Sequence, residues 1–134
     1  MRKYFALLLA LAATPASAAS FLVGTWYGTG QPNDKSEMWV ARMGAHGEFR
    51  AEFRACVKGQ SLDQVNLGTW SVAGDQVTVK IDTVNDTPFP RTDEYKILAQ
   101  DGKTQTYRYI PNGFVYHSRR VPDGFELPSC EAVS

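Results

Sequence analysis

The sequence predicts an all-β fold: an eight-stranded antiparallel up-and-down barrel with an extended C-terminal tail. Three observations carry that prediction. Apolar residues alternate with polar ones at a period of two, most plainly where Phe49, Ala51, Phe53, Ala55 and Val57 interleave with Glu48, Arg50, Glu52, Arg54 and Cys56. Turn-forming residues interrupt the pattern every ~8 to 15 positions. Every connection between consecutive strands is too short for a crossover, so neighbours run antiparallel.

Ahead of the first strand, Arg2 and Lys3 precede an apolar stretch from Tyr4 to Ala13, and Ala16-Ser17-Ala18 follows. A charged start, a short apolar run and an A-x-A site read as a cleavable secretory signal over residues 1–18, leaving one barrel domain over 19–134. The apolar run falls short of the about 20 residues that a bilayer demands. No cysteine lies near the cut, which argues against a lipid anchor. Loss of the signal takes two of the 14 basic residues and none of the 14 acidic ones, leaving a small negative charge. The chain is therefore expected outside the cytoplasm, periplasmic or secreted, and a basic surface for nucleic acid is missing. Cys56 and Cys130, in an oxidising compartment, read as a single disulfide, against two free thiols or an intermolecular bridge.

In chain order the strands are expected at about Phe21 to Gly28, Ser36 to Met43, Glu48 to Val57, Asp63 to Val72, Gln76 to Thr83, Thr92 to Ala99, Thr104 to Ile110 and Phe114 to Val121. The third strand has one apolar and one charged face, so it does not face lipid, and membrane insertion as an outer-membrane barrel is not expected. Val77, Val79 and Ile81 against Gln76, Thr78, Lys80 and Asp82 repeat the alternation. Gly44-Ala45-His46-Gly47, Ala73-Gly74-Asp75, Asp101-Gly102 and Pro111-Asn112-Gly113 supply the turns. The first and fifth connections, Thr29 to Lys35 and Val84 to Arg91 with Pro88 and Pro90, are expected to be long loops at one end. That end would be the mouth, and the other end, with tight turns, a closed base.

Leu22-Val23-Gly24-Thr25-Trp26 resembles the G-x-W that opens lipocalin and calycin barrels, and Gly68-Thr69-Trp70 resembles a second strand-end motif of small bacterial lipocalin-like domains. Avidin-like barrels start with a similar Gly-Thr-Trp-Tyr. The lipocalin resemblance implies that Gly24, Trp26 and Trp70 lie at the base, and that an arginine of the last strand caps Trp26. Pairing the last two strands across Asn112-Gly113 sets Tyr109 opposite Tyr116, Tyr107 opposite Ser118 and Gln105 opposite Arg120, so Arg120 is expected over Trp26, with Arg119 as the alternative. Full lipocalins carry a long helix after the eighth strand. Here the segment from Pro122 is too short and broken for one, and is expected to climb the outer wall to a Cys56–Cys130 bridge.

No motif for a nucleophile, a phosphate or a metal is present, and no cofactor is expected. His46 and His117 read as surface residues, and Asp82, Asp86, Asp93 and Glu94 as solvated charges around the fifth loop, although paired carboxylates there keep an enzyme as a third possibility. The stronger signal is aromatic. Phe49, Phe53, Tyr95, Ile97, Tyr107, Tyr109, Phe114 and Tyr116 are expected to line the interior, with Gln105 and Ser118 adding polar points. Buried tyrosine hydroxyls demand partners, so such a lining points to a wet or ligand-holding cavity, against rings that merely fill a small barrel. Two functions follow: a binding protein for a small hydrophobic or amphipathic molecule, or a solid barrel whose mouth loops, with Phe89 as apolar anchor, bind an envelope protein.

Overall fold

A computed structural model of the chain describes residues 20–31 and 34–133, so the secretory signal expected over residues 1–18 lies outside the described residues. A 3-10 turn at Ser20–Leu22 leads into β1 Gly24–Gln31, β2 Asp34–Met43, β3 Glu48–Val57, β4 Gln60–Ala73, β5 Gln76–Val84, β6 Thr87–Gln100, β7 Thr104–Tyr109 and β8 Val115–Val121. Each strand pairs antiparallel with the next, and β8 returns to β1 through Thr25 opposite Val121 to Gly28 opposite Ser118, closing an eight-stranded barrel. Closure removes every free edge along the paired length.

The base is built on Trp26, whose indole donates to the Leu22 carbonyl at 3.0 Å and is 1% exposed. Arg120, its register partner on β8, lays its guanidinium 4.4 Å from the centre of the Trp26 ring. The same group donates to the carbonyls of Val23 at 2.7 Å, Phe21 at 2.8 Å and Gly102 at 2.9 Å, satisfying backbone that the barrel end leaves unpaired. Gly24 is required beneath it, because φ is +139° and a Cβ there would overlap the Arg120 guanidinium. Trp70 closes the next sector by donating to the Gly44 carbonyl at 3.0 Å, and Gly68 lies against the Lys80 backbone with no room for a Cβ. Leu22, Trp26, Met43, Trp70, Val72, Val77, Val79 and Ile81 make one core around this end.

The tail climbs the outside of the barrel. Thr25 donates to Asp123, Arg42 to the Phe125 carbonyl at 2.8 Å, and Arg54 to those of Leu127 and Pro128 at 3.3 and 3.0 Å. Cys130 then bridges to Cys56, 74 residues earlier in the chain. Met38 and Val40, whose register partners are Arg54 and Glu52 on the outward face, are 1% and 0% exposed. The tail follows this face, and a 3-10 turn at Cys130–Val133 contacts β2. The chain thus has a second apolar core on its exterior wall.

Four expectations are corrected. The entry residues Ser20–Leu22 form a 3-10 turn, so the first strand begins at Gly24, where the chain turns beneath Arg120. The first connection is only residues 32–33, and the fifth is only Asn85 and Asp86, both at positive φ, as a tight two-residue hairpin demands. Thr87–Arg91, including Pro88, Phe89 and Pro90, belongs to β6; prolines are accepted there because β7 pairs with β6 only from Tyr95 onward, leaving that flank without a neighbour. Finally, Tyr107 lies opposite Tyr116 and Gln105 opposite Ser118, because the last hairpin turns through Ile110–Phe114 rather than through two residues. This shift of two positions keeps every side chain on its expected face. The mouth asymmetry therefore comes from strand length: β4 and β6 have 14 residues each, β7 six and β8 seven, giving one high wall and one low one.

Gly24→Ala should lower stability by about 2 kcal/mol, since it combines backbone strain with displacement of Arg120. Urea unfolding measures this, and a loss within experimental error would show that the Arg120 contact does not secure the base.

Candidate functional site

Above the Trp26 layer the interior is hollow. A cavity of about 750 Å³ runs up to the mouth, and every sequence-predicted lining residue, Phe49, Phe53, Tyr95, Ile97, Gln105, Tyr107, Tyr109, Phe114, Tyr116 and Ser118, borders it. Their depths differ. Gln105 is buried, whereas Phe53 and Phe114 are 38% and 54% exposed and form the rim. Room exists because the inward positions of β2 and β3 alternate large with small: Ala41, Ala51 and Ala55 border the space between the rings.

One wall is a continuous aromatic chain. Trp39 meets Tyr116 edge-on at 5.6 Å, Tyr116 stacks on Tyr107 at 5.9 Å, Tyr107 meets Tyr95 edge-on at 5.5 Å, and Tyr95 lies 5.2 Å from Tyr109. These offset and edge-to-face contacts are the arrangements that ring quadrupoles favour. Trp39 reaches β8 by lying across β1 at Gly28, where a Cβ would strike its ring. The glycine is therefore part of the site.

Polar groups enter this wall at two levels. Near the mouth, Tyr109 donates to Asp93 at 2.7 Å, and Arg91 donates to the other oxygen of the same carboxylate at 3.2 Å. Asp93 is 4% exposed, so it belongs to the interior, not to the solvated cluster expected around the fifth connection. On the facing wall, Gln64 donates to Asn66 at 2.9 Å. Deeper, Gln105 and Ser118 lie opposite each other on β7 and β8, directly above Arg120.

These surroundings hold Tyr95, Tyr107 and Tyr109 protonated. Desolvation raises the Tyr95 hydroxyl above its ordinary range, with the Asp93 charge adding to it. Desolvation likewise raises Tyr107, with Tyr95 and Tyr116 adding and a hydrogen bond with Trp39 opposing. Tyr109 is raised chiefly by its hydrogen bond to Asp93.

Trp39, Asp93, Arg91 and Asn66 join a site that sequence reasoning drew mainly from the aromatic residues of β3 and β6 to β8, with Gln105 and Ser118 as its polar points. Trp39 was hidden in the unbroken apolar run Met38-Trp39-Val40-Ala41, Arg91 by the assignment of Val84 to Arg91 to a loop, and Asp93, inside the expected sixth strand, by being grouped with the charges around that loop. His46 and His117 stay exposed, and His117 shares a hydrogen bond with Thr106 at 3.0 Å. Among the described residues no cluster of histidine, cysteine or carboxylate side chains has the geometry to hold a metal.

Comparison of the chain with known family models, with curated proteins and with solved structures gives no significant match.

Unfolded tyrosines ionise near pH 10, and a group whose folded pKa lies higher contributes stability that is complete below that pH and lost as pH rises through it. Each such group should remove up to about 1.4 kcal/mol per pH unit above pH 10. Tyr107→Phe should therefore flatten the alkaline fall in unfolding free energy by about one group's worth. Urea titrations between about pH 9.5 and 11.5 compare the slopes, and identical slopes would contradict a desolvated Tyr107 hydroxyl.

Proposed function

We propose that this chain is a lipocalin-like binding protein that works in the periplasm or outside the cell and holds a small hydrophobic or amphipathic molecule inside its barrel. The observation that carries the reading is the hollow interior: about 750 Å³ bordered by aromatic side chains and a few convergent polar groups. Small-molecule sites fall in the range of about 300 to 1,000 Å³ with this kind of lining. A barrel of this strand number is able instead to fill itself with side chains, and the alanines of β2 and β3 are what leave it unfilled. Entry is over the low wall, between the β5–β6 hairpin and the Ile110–Phe114 loop, where β6 runs beyond its β7 partner. The Cys56–Cys130 bridge fits an oxidising compartment.

Native mass spectrometry of protein purified from its own host should show a retained small-molecule adduct, and the emptied protein should bind the neutral probe N-phenyl-1-naphthylamine. Ala51→Phe, which fills the cavity centre, should weaken probe binding about tenfold or more while near-ultraviolet circular dichroism stays that of a folded barrel. Neither adduct nor probe binding in the wild type would end the reading.

A second reading is favoured by one observation: Phe89, half-exposed on the unpartnered flank of β6 and 5.8 Å from the Arg91 guanidinium, forms an apolar point beside the mouth. An envelope protein held there would make the rim a docking surface, with the aromatic residue as anchor. Phe89→Ala should then lose a partner that wild type recovers from envelope extract, and equal recovery of all proteins would refute it.

A further inference from the structure

We infer that the ligand is uncharged, with a planar ring held against the aromatic wall and a hydroxyl or carbonyl at its inner end facing Ser118. The inference rests on the binding function proposed above and specifies the chemistry of that same cavity.

Ser118 supplies the first observation. Its hydroxyl is buried, it borders the cavity, and its oxygen has no hydrogen-bond partner. Buried polar side chains are nearly always paired, so one left without a partner in the wall of a cavity marks where a ligand atom belongs. The residue stands on β8 between Gly28 of β1 and Gln105 of β7, one layer above the sealed Trp26–Arg120 base. With the Gln105 carboxamide it makes a neutral polar floor that both donates and accepts.

The layer beside and above that floor is aromatic. Trp39, Tyr116 and Tyr107 are consecutive along it, and a planar ring offers them a face or an edge at low conformational cost. The Tyr107 hydroxyl in this wall stays protonated, because desolvation raises it.

Charge supplies the second argument. Among the described residues the cations at the cavity and its rim already have counter-charges: Arg91 lies 3.1 Å from Asp93, and Arg54, on the outward face beside the rim, lies 2.8 Å from Asp63 and is also held by the tail. Glu37 adds a further negative group. Arg120 is occupied by three backbone carbonyls and by Trp26. Among the described residues a carboxylate ligand would find no cation to replace its water and would add to a negative surplus, a desolvation cost with no return. A neutral hydroxyl or carbonyl meets Ser118 and Gln105 without that cost.

The test compares three ligands of one shape, naphthalene, 2-naphthol and 2-naphthoate, by Trp fluorescence and titration calorimetry at neutral pH, on wild type and Ser118→Ala. Wild type should bind 2-naphthol roughly three- to tenfold more tightly than naphthalene, the gain of one neutral hydrogen bond, and 2-naphthoate most weakly. Ser118→Ala should abolish the naphthol preference while leaving naphthalene affinity within about twofold, which also shows that the variant is folded. A naphthol preference that survives Ser118→Ala would mean that the hydroxyl serves no ligand, and tightest binding of 2-naphthoate would mean that the charge argument is wrong. Either result overturns the inference. If none of the three binds while a native adduct is retained, the inference fails and the binding function stands; if the native protein is also empty, both fail.

Discussion

The structure depends on one contact, the Arg120 guanidinium stacked on Trp26. A guanidinium is flat, stays charged at any working pH, and carries a fork of donors. Here the flat face meets the indole while the fork takes three carbonyls from two separate chain segments, the entry turn at Phe21 and Val23 and the β6–β7 turn at Gly102. A lysine would offer the charge without that geometry. Because the base is stoppered in this way, Leu22, Met43, Trp70, Val72 and Val77 pack as one core at that end. The upper half then has no obligation to be solid.

A hollow barrel buries less apolar surface inside than a filled one, and the chain offsets this on the outside. Met38 and Val40 point away from the cavity and are nevertheless fully buried, each contributing about 1.5 to 3 kcal/mol by the usual accounting of side-chain burial. Tyr27 and Phe125 add to the same outer layer, with ring centres 4.9 Å apart and Arg119 5.0 Å above Tyr27. Arg119 and Arg120 are thus neighbours with opposite duties, one fixing the tail to the wall and the other closing the base. The disulfide keeps the tail near this wall and so limits the entropy it would regain by detaching.

Much of this was legible in the sequence because period-two alternation is a local signal that closure does not disturb. The face assignments of Phe49, Tyr107 and Tyr116 followed from it, whereas the Trp26–Arg120 pair came from the lipocalin resemblance together with strand pairing, and the path of the tail from its length and the positions of the two cysteines. The misreadings arose where a neighbour was missing or unforeseen. Pro88 and Pro90 looked like loop residues because proline is costly inside a sheet, but the flank they occupy has no strand beside it. The apolar run Met38-Trp39-Val40-Ala41 breaks alternation, and that is the mark of a strand buried on both sides; reading it so required the tail to be placed first. Asp93 was taken for a solvated charge, since nothing in its local sequence shows that the strand continues upward past it and turns the carboxylate inward to Tyr109. The last hairpin turns through five residues instead of two, which no local pattern announced, yet face assignment survived because the error was an even number of positions.

The interior polar groups are placed so that they sort directions rather than merely occupy space. A carboxylate inside an apolar cavity is costly unless it is matched, and Asp93 is matched twice, by Arg91 and by the Tyr109 hydroxyl. That arrangement fixes Tyr109, and through it the ring of Tyr95, so one end of the aromatic wall is held rigidly. Trp39 is fixed at the other end by its seat across Gly28. Between these two anchors Tyr107 and Tyr116 have little freedom, and the wall presents a preorganised surface opposite Phe49, Ala51 and Val79, which carry no hydrogen-bonding side chains. A molecule entering over the low wall therefore meets one rigid aromatic side, one apolar side and one polar floor. Three unlike surfaces admit fewer orientations than a uniform apolar sac does, and rigid partners lose little entropy on contact, so under the proposed binding function this cavity would favour selectivity over breadth.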